Sequence, residues 1–168
     1  MTKQFKLAIT FGRFNLLHNG HLDLFQQMAE SAEEVTVGLS TGPGNLDSGK
    51  RVNVINKAYG ASDIDLGVSL LYFHKFFKVK LLRQPFDLLV GLEAIEPERV
   101  VFYVGEDQFK LAKAIERVAG FQIRTIPRLT SSTIIRQAVD NEDWDLVSTL
   151  VPPSVVNDVI NLHLKQNA

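Results

Sequence analysis

Apolar residues fall into two patterns along the chain. Short runs rich in β-branched and aromatic residues span Phe5–Phe11, Val35–Ser40, Val100–Val104 and Phe121–Ile126. Glycine, proline or small polar residues close each run, as expected of strands. Between the runs, apolar residues recur at helical spacing. Leu22, Phe25, Met28 and Ala29 mark a helix from His18 to Ala32. Further helices are expected over Val52–Ala58, over Phe109–Val118 with Gly120 closing it, and over Thr133–Val139. Trp144–Leu150 and Ser154–Leu164 follow, the second opening after Pro152-Pro153. Residues 64–82 are the least regular. Leu66, Leu70, Phe73 and Phe77 fit one helix face, and Leu71, Tyr72 and Phe76 widen it. The pattern predicts a buried helix there, with a subunit interface as the alternative use of the same surface. Lys78–Leu82 reads as a short strand, and Pro85 as the opening of a helix through Leu92.

A strand, a helix and a strand at the start make a βαβ unit, so the strands should run parallel. The alternation continues along the chain. It predicts an α/β protein, a three-layer α/β/α Rossmann-like domain with a parallel sheet, spanning residues 1–168 as a single domain. Glycines follow three strands, at Gly12, Gly42 and Gly105, and should cluster on one sheet edge. Ligands bind at that edge in open parallel sheets.

Composition narrows the classes. The formal net charge is -1, so no global field attracts nucleic acid or anionic lipid. There is no cysteine, which excludes disulfides and thiolate metal sites. No apolar run reaches the ~18 residues of a membrane span, and no signal-peptide pattern follows Met1. The expectation is a soluble, cytoplasmic protein with no nucleic-acid or membrane partner.

The chemistry concentrates where the first strand becomes the first helix, in Thr10-Phe11-Gly12-Arg13-Phe14-Asn15-Leu16-Leu17-His18-Asn19-Gly20-His21. The first N–H groups of a helix have no partner within it, and the dipole favours negative charge, so phosphate suits this position. His18 and His21, three apart, face the same way. A zinc pair is one reading, but the helical zinc spacing is four with a glutamate between, and no third ligand is evident. A structural pair without chemistry is another. Donors aimed at phosphate are the third. Later, Thr130-Ser131-Ser132-Thr133 precedes a helix, with Arg136 one turn on. Such residues are ordinary N-caps, and they are also phosphate donors. Lys50-Arg51 closes a loop rich in turn formers and reads as a solvated pair or as a holder of an acceptor phosphate. Lys57, Arg83 and Arg128 are weaker candidates for the same task.

Gly12-Arg13-Phe14 with His18-Asn19-Gly20-His21 resembles the HxGH signature of the nucleotidyltransferase superfamily. Leu129-Thr130-Ser131-Ser132-Thr133-Ile134-Ile135-Arg136 resembles that superfamily's late ISSTxxR motif. The resemblance, carried by the pair in this order, covers nearly the whole chain, with residues 42–98 the least covered. The resemblance implies transfer of a nucleoside monophosphate, AMP from ATP favoured, to a small phosphorylated acceptor with release of pyrophosphate. It implies catalytic roles for His18, His21 and Arg136. It implies nucleotide contacts from Thr10, Phe11, Gly12, Arg13, Phe14, Gly20, Gly105, Asp107, Thr130, Ser131, Ser132 and Thr133. Gly105-Glu106-Asp107 is similar to the GxD turn of many adenylyltransferases. Mg²⁺ is expected on the nucleotide phosphates, with no dedicated protein ligands.

Within the superfamily, Gly12-Arg13-Phe14 and the late helix are similar to the archaeal type of nicotinamide mononucleotide adenylyltransferase, which is the first choice. Asn19–Leu24 followed by Val35–Thr41 is similar to phosphopantetheine adenylyltransferase, and Phe14–His18 to the CTP-dependent transferases for glycerol and choline phosphate. A non-catalytic nucleotide-binding regulatory protein is the alternative of another class. Members of the superfamily are commonly oligomeric, and Leu70–Phe77 is a candidate homo-oligomer surface.

Overall fold

In the computed structural model, the described residues are 3–41, 46–60, 68–74, 96–106, 113, 116, 117, 121–127 and 130–165. They form β1 (Phe5–Gly12), α1 (Asn19–Ser31), β2 (Ala32–Thr41), α2 (Ser48–Gly60), β3 (Val68–His74), β4 (Val100–Gly105), β5 (Gln122–Ile126), α3 (Ser132–Asp140), α4 (Trp144–Leu150) and α5 (Val156–Leu164). Short 3-10 turns at Pro97–Arg99 and Pro153–Val155 lead into β4 and α5.

The strands make one parallel sheet in the order β3-β2-β1-β4-β5. The chain builds outward from β1 to β3, then returns to the other side of β1 for β4 and β5. The order therefore reverses between β1 and β4, which opens a crevice beyond their carboxyl ends. Gly12 and Gly105 end those two strands. Gly42 lies outside the described residues. This is the Rossmann-like α/β architecture that the alternation predicts.

The central strands are apolar on both faces. Leu7, Ala8 and Ile9 of β1 and Val100–Val104 of β4 are all buried. That is the pattern of parallel strands covered on both sides. Phe25 and Met28 of α1 are fully buried against this sheet, joined by Ile135 and Val139 of α3 and by Val159 of α5. His163 of α5 is buried too, and its Nε2 lies 2.7 Å from Asp140 Oδ1 at the end of α3.

Two expectations are corrected here. Val68–His74 is a strand, paired in register with β2 from Val35↔Val68 to Thr41↔His74, and not part of a helix. The run Val68-Ser69-Leu70-Leu71-Tyr72-Phe73-His74 is nearly continuous in apolar residues, so it fits a helix face and a strand equally well. Its β-branched and aromatic content and the pairing offered by β2 decide in favour of the strand. Lys50 and Arg51 sit in the first turn of α2 and not on a loop. Asp47 starts that helix: its Oδ1 accepts the N–H of Lys50 at 2.9 Å, and its carbonyl accepts that of Arg51 at 3.1 Å. The expected strand over Lys78–Leu82 and helix over Pro85–Leu92 fall outside the described residues. Of the expected helix Phe109–Val118, the described Lys113, Glu116 and Arg117 are helical. No helix among the described residues is long and apolar enough to cross a membrane.

Candidate active site

The connection from β1 to α1 is built around a left-handed residue. Phe14 has φ 43°, which allows the chain to turn sharply after Gly12. A side chain at Gly12 would meet the Phe14 ring at 2.7 Å, so the glycine lets that ring fold back over the strand end. The ring stands edge-on to His21 with centroids 4.9 Å apart, and it touches Phe25 at 5.4 Å. His21 in turn stacks on His18 with centroids 3.6 Å apart and 19° between planes. A continuous aromatic column thus runs from the core at Phe25 to the histidine pair.

His18 is the N-cap residue of α1, with φ -145° and ψ 166°. Its carbonyl accepts the N–H of His21 at 2.8 Å, while its ring makes no cap hydrogen bond. A Ser or Asp at this position would direct an acceptor at the first helical N–H groups. Histidine leaves that end of α1 open to an external anion. Gly20 keeps the same end uncrowded, because a Cβ there would lie 3.3 Å from His18 Nδ1 and 3.4 Å from Thr130 Cγ2.

A second helix start lies opposite. Ser131 caps α3, its Oγ accepting the N–H of Ile134. Ser132 Oγ donates to the carbonyl of Leu16 at 3.4 Å, tying α3 to the turn that precedes α1. Thr130 is buried, and its Oγ1 has no hydrogen-bond partner among the described residues. Arg136 follows Ser132 by four residues and so lies on the same face of α3.

These groups surround a cavity of about 450 Å³ at the carboxyl ends of β1 and β4. Of the expected residues, Thr10, Phe11, Gly12, Arg13, Phe14, His18, Gly20, His21, Gly105, Thr130, Ser132, Thr133 and Arg136 line it. Ser131 does not; its hydroxyl is spent on the cap. Lys50 and Arg51 do not line it either, and Arg51 is 1% exposed, with Nη1 donating to the carbonyl of Arg13. The acceptor-holding pair of the sequence is thus an exposed lysine beside a buried structural arginine. Asp107, Arg83 and Arg128 lie outside the described residues. Lys57 pairs with Asp158 at 2.7 Å, away from the cavity.

The cavity also takes in Asn15, which lies within the first motif without an assigned role, and Leu24, Ile126 and Pro127, which the motifs do not mark. Ile126-Pro127 leaves the carboxyl end of β5, so the rule that singles out Gly12 and Gly105 could have found it. One wall, Leu24 with Ile126 and Pro127, is apolar. The rest of the lining carries two guanidinium groups, two imidazoles, four hydroxyls and two helix starts, with no carboxylate among the described lining residues. Such a surface selects an anion with an apolar or aromatic appendage.

The profile of the cytidylyltransferase-like family matches residues 9–138, from the middle of β1 to the last turn of α3. The chain belongs to the cytidylyltransferase-like family. Both histidines, the late serine-threonine cluster and Arg136 lie inside the matched span, so the likeness to HxGH nucleotidyltransferases is that of a member. The nicotinamide-nucleotide adenylyltransferase of Thermococcus sibiricus is 26% identical over 158 residues, covering 86% of this chain and 78% of its own. That of Methanococcus aeolicus is 24% identical over 164 residues, covering 89% and 86%. Among solved structures, the nicotinic acid mononucleotide adenylyltransferase of Plasmodium falciparum complexed with NaAD superposes with a TM-score of 0.72. It shares 12% identity over 96% of this chain and 98% of that one, which is a likeness of fold.

Proposed function

We propose that this chain is a nicotinamide-nucleotide adenylyltransferase. It transfers AMP from ATP to the phosphate of nicotinamide mononucleotide and releases pyrophosphate. The observation that carries the reading is the one cavity into which both helix starts, both histidines and both arginines converge. The curated relatives that match most of the chain bear that enzyme's name.

The acceptor phosphate oxygen is already an anion. It attacks the α-phosphorus of ATP, the bond to the bridging oxygen of the β-phosphate breaks, and pyrophosphate leaves with that oxygen. No proton must be abstracted, which fits a lining whose described residues are donors without a carboxylate base. Catalysis then rests on holding the phosphates in line and on stabilising the charge that builds on them. His18 and His21 donate to the triphosphate, with His21 on the transferring group. Arg13 and Arg136 hold the departing phosphates. The Thr130 hydroxyl supplies a buried donor, and Ser132 and Thr133 present the start of α3. The apolar wall at Leu24, Ile126 and Pro127 takes the base. The described donors, which include no carboxylate, suit a Mg²⁺ brought in by the triphosphate; when bound it would offset the charge of the leaving pyrophosphate.

The direct test is pyrophosphate release with Mg²⁺, pairing ATP or CTP with nicotinamide mononucleotide, nicotinic acid mononucleotide, phosphopantetheine or glycerol 3-phosphate. Turnover with ATP and nicotinamide mononucleotide is the expected result. Turnover only with CTP, or only with another acceptor, overturns the substrate assignment. In the same assay, Arg136→Ala is expected to raise the KM for ATP by roughly ten- to a hundredfold. This corresponds to the ~1.5–3 kcal/mol of a charge-assisted hydrogen bond. An unchanged KM would remove Arg136 from the triphosphate.

A further inference from the structure

The turn that carries the phosphate donors is fastened from behind, by the beginning of α2. Phe14 occupies the left-handed region at φ 43°, which bulky L residues disfavour. Such a conformation persists only where neighbours over-determine it. Two side chains flank it. On one side, Arg51 Nη1 donates to the carbonyl of Arg13. On the other, the amide Oδ1 of Asn15, a residue 3% exposed, accepts the N–H of Leu46 at 3.2 Å. Leu46 and Arg51 bracket Asp47, which starts α2. One helix entrance therefore grips the turn on both sides of its strained residue.

Arg51 is the informative half. A guanidinium that is 1% exposed and absent from the cavity lining is not placed to meet a substrate. It donates to the main chain of Arg13, whose side chain does line the cavity. We infer that Arg51, assisted by Asn15, is a positioning residue that holds the Gly12–Asn15 turn in its triphosphate-binding conformation. This rests on the reading of the cavity as a nucleoside triphosphate site. A lysine cannot replace it: an ammonium is more strongly hydrated and lacks the rigid fork of donors.

The test measures affinity for a non-hydrolysable ATP analogue by calorimetry, the KM for nicotinamide mononucleotide, and the melting temperature, in wild type, Arg51→Lys, Arg13→Ala and the double variant. Arg51→Lys is expected to weaken analogue binding tenfold or more and leave the acceptor KM within twofold. Because Arg51 acts through Arg13, the double variant should lose less than the sum of the single losses on a logarithmic scale. If Arg51→Lys does not fold, Arg51→Gln keeps a donor toward the Arg13 carbonyl and is read the same way. A raised acceptor KM with unchanged analogue affinity would make Arg51 a substrate ligand and overturn the inference. So would a lowered melting temperature with wild-type affinity in the folded protein. Wild type that binds no ATP analogue overturns the nucleotide reading and this inference together. Wild type that binds the analogue but uses another acceptor fails only the acceptor assignment, and the affinity comparison still decides the role of Arg51.

Discussion

His21→Ala is expected to lower kcat by about a hundred- to a thousandfold, the usual loss when one preorganised donor to a developing charge is removed. The protein should stay folded. His21 is only half-buried, and its ring borders the open cavity, so deleting it leaves no sealed void. Among its ring contacts it loses the stack on His18 and the edge contact with Phe14. An aromatic contact of that kind is worth roughly 1 kcal/mol, or about 2–4 °C of Tm in a chain of this size. ATP affinity should fall less than tenfold, because Arg13, Arg136 and the two helix starts remain. The split between kcat and affinity is the informative readout. A near-normal kcat in a variant with normal Tm would remove His21 from the chemistry.

Phe25→Ala is expected to act the other way round, on stability first. Its side chain is fully buried between α1 and the sheet and touches the Phe14 ring. Truncating a buried phenylalanine typically costs about 3–5 kcal/mol, because transfer energy is lost and a cavity remains. Against a total of roughly 5–15 kcal/mol, that is a large fraction. Urea unfolding should show a midpoint shifted to much lower denaturant with little change in slope. The milder Phe25→Leu should lose about 1–2 kcal/mol and still lower kcat, because Phe14 can then tilt away from His21. A Phe25→Leu enzyme with wild-type turnover would show that the aromatic column does not orient the histidine.

The sequence made much of this legible, for identifiable reasons. β1, α1, β2 and β4 are read correctly because each has one dominant apolar pattern and a glycine or polar stop. The two motifs were joined by the resemblance, while the shared sheet edge brought the histidine motif together with the Gly105 turn. β3 was not legible, since a nearly unbroken apolar run carries no period to separate strand from helix. Lys50-Arg51 was misplaced because the turn formers from Thr41 to Gly49 hide a helix start. The signal was present in Asp47, whose carboxylate caps that start. The burial of Arg51 had no signal at all: its acceptor is a main-chain carbonyl far away in sequence. Ser131 shows the opposite limit, since a motif residue can serve its helix and not the cavity.

β1 is the first strand made, and it ends in the middle of the sheet, between β2 and β4. The pocket it opens is closed by α3, which starts at Ser132. The complete site therefore joins residues distant in sequence, from Thr10 to Arg136, and can form only after slow, non-local pairing of β1 with β4. A growing or partly refolded chain can carry a correct βαβ half and still hold no site. Nucleotide thus meets only part of its site in such intermediates. Its full stabilisation applies to the completed molecule alone, in proportion to the logarithm of ligand concentration over Kd. The substrate acts as a late lock on a finished fold and not as a guide along the path to it.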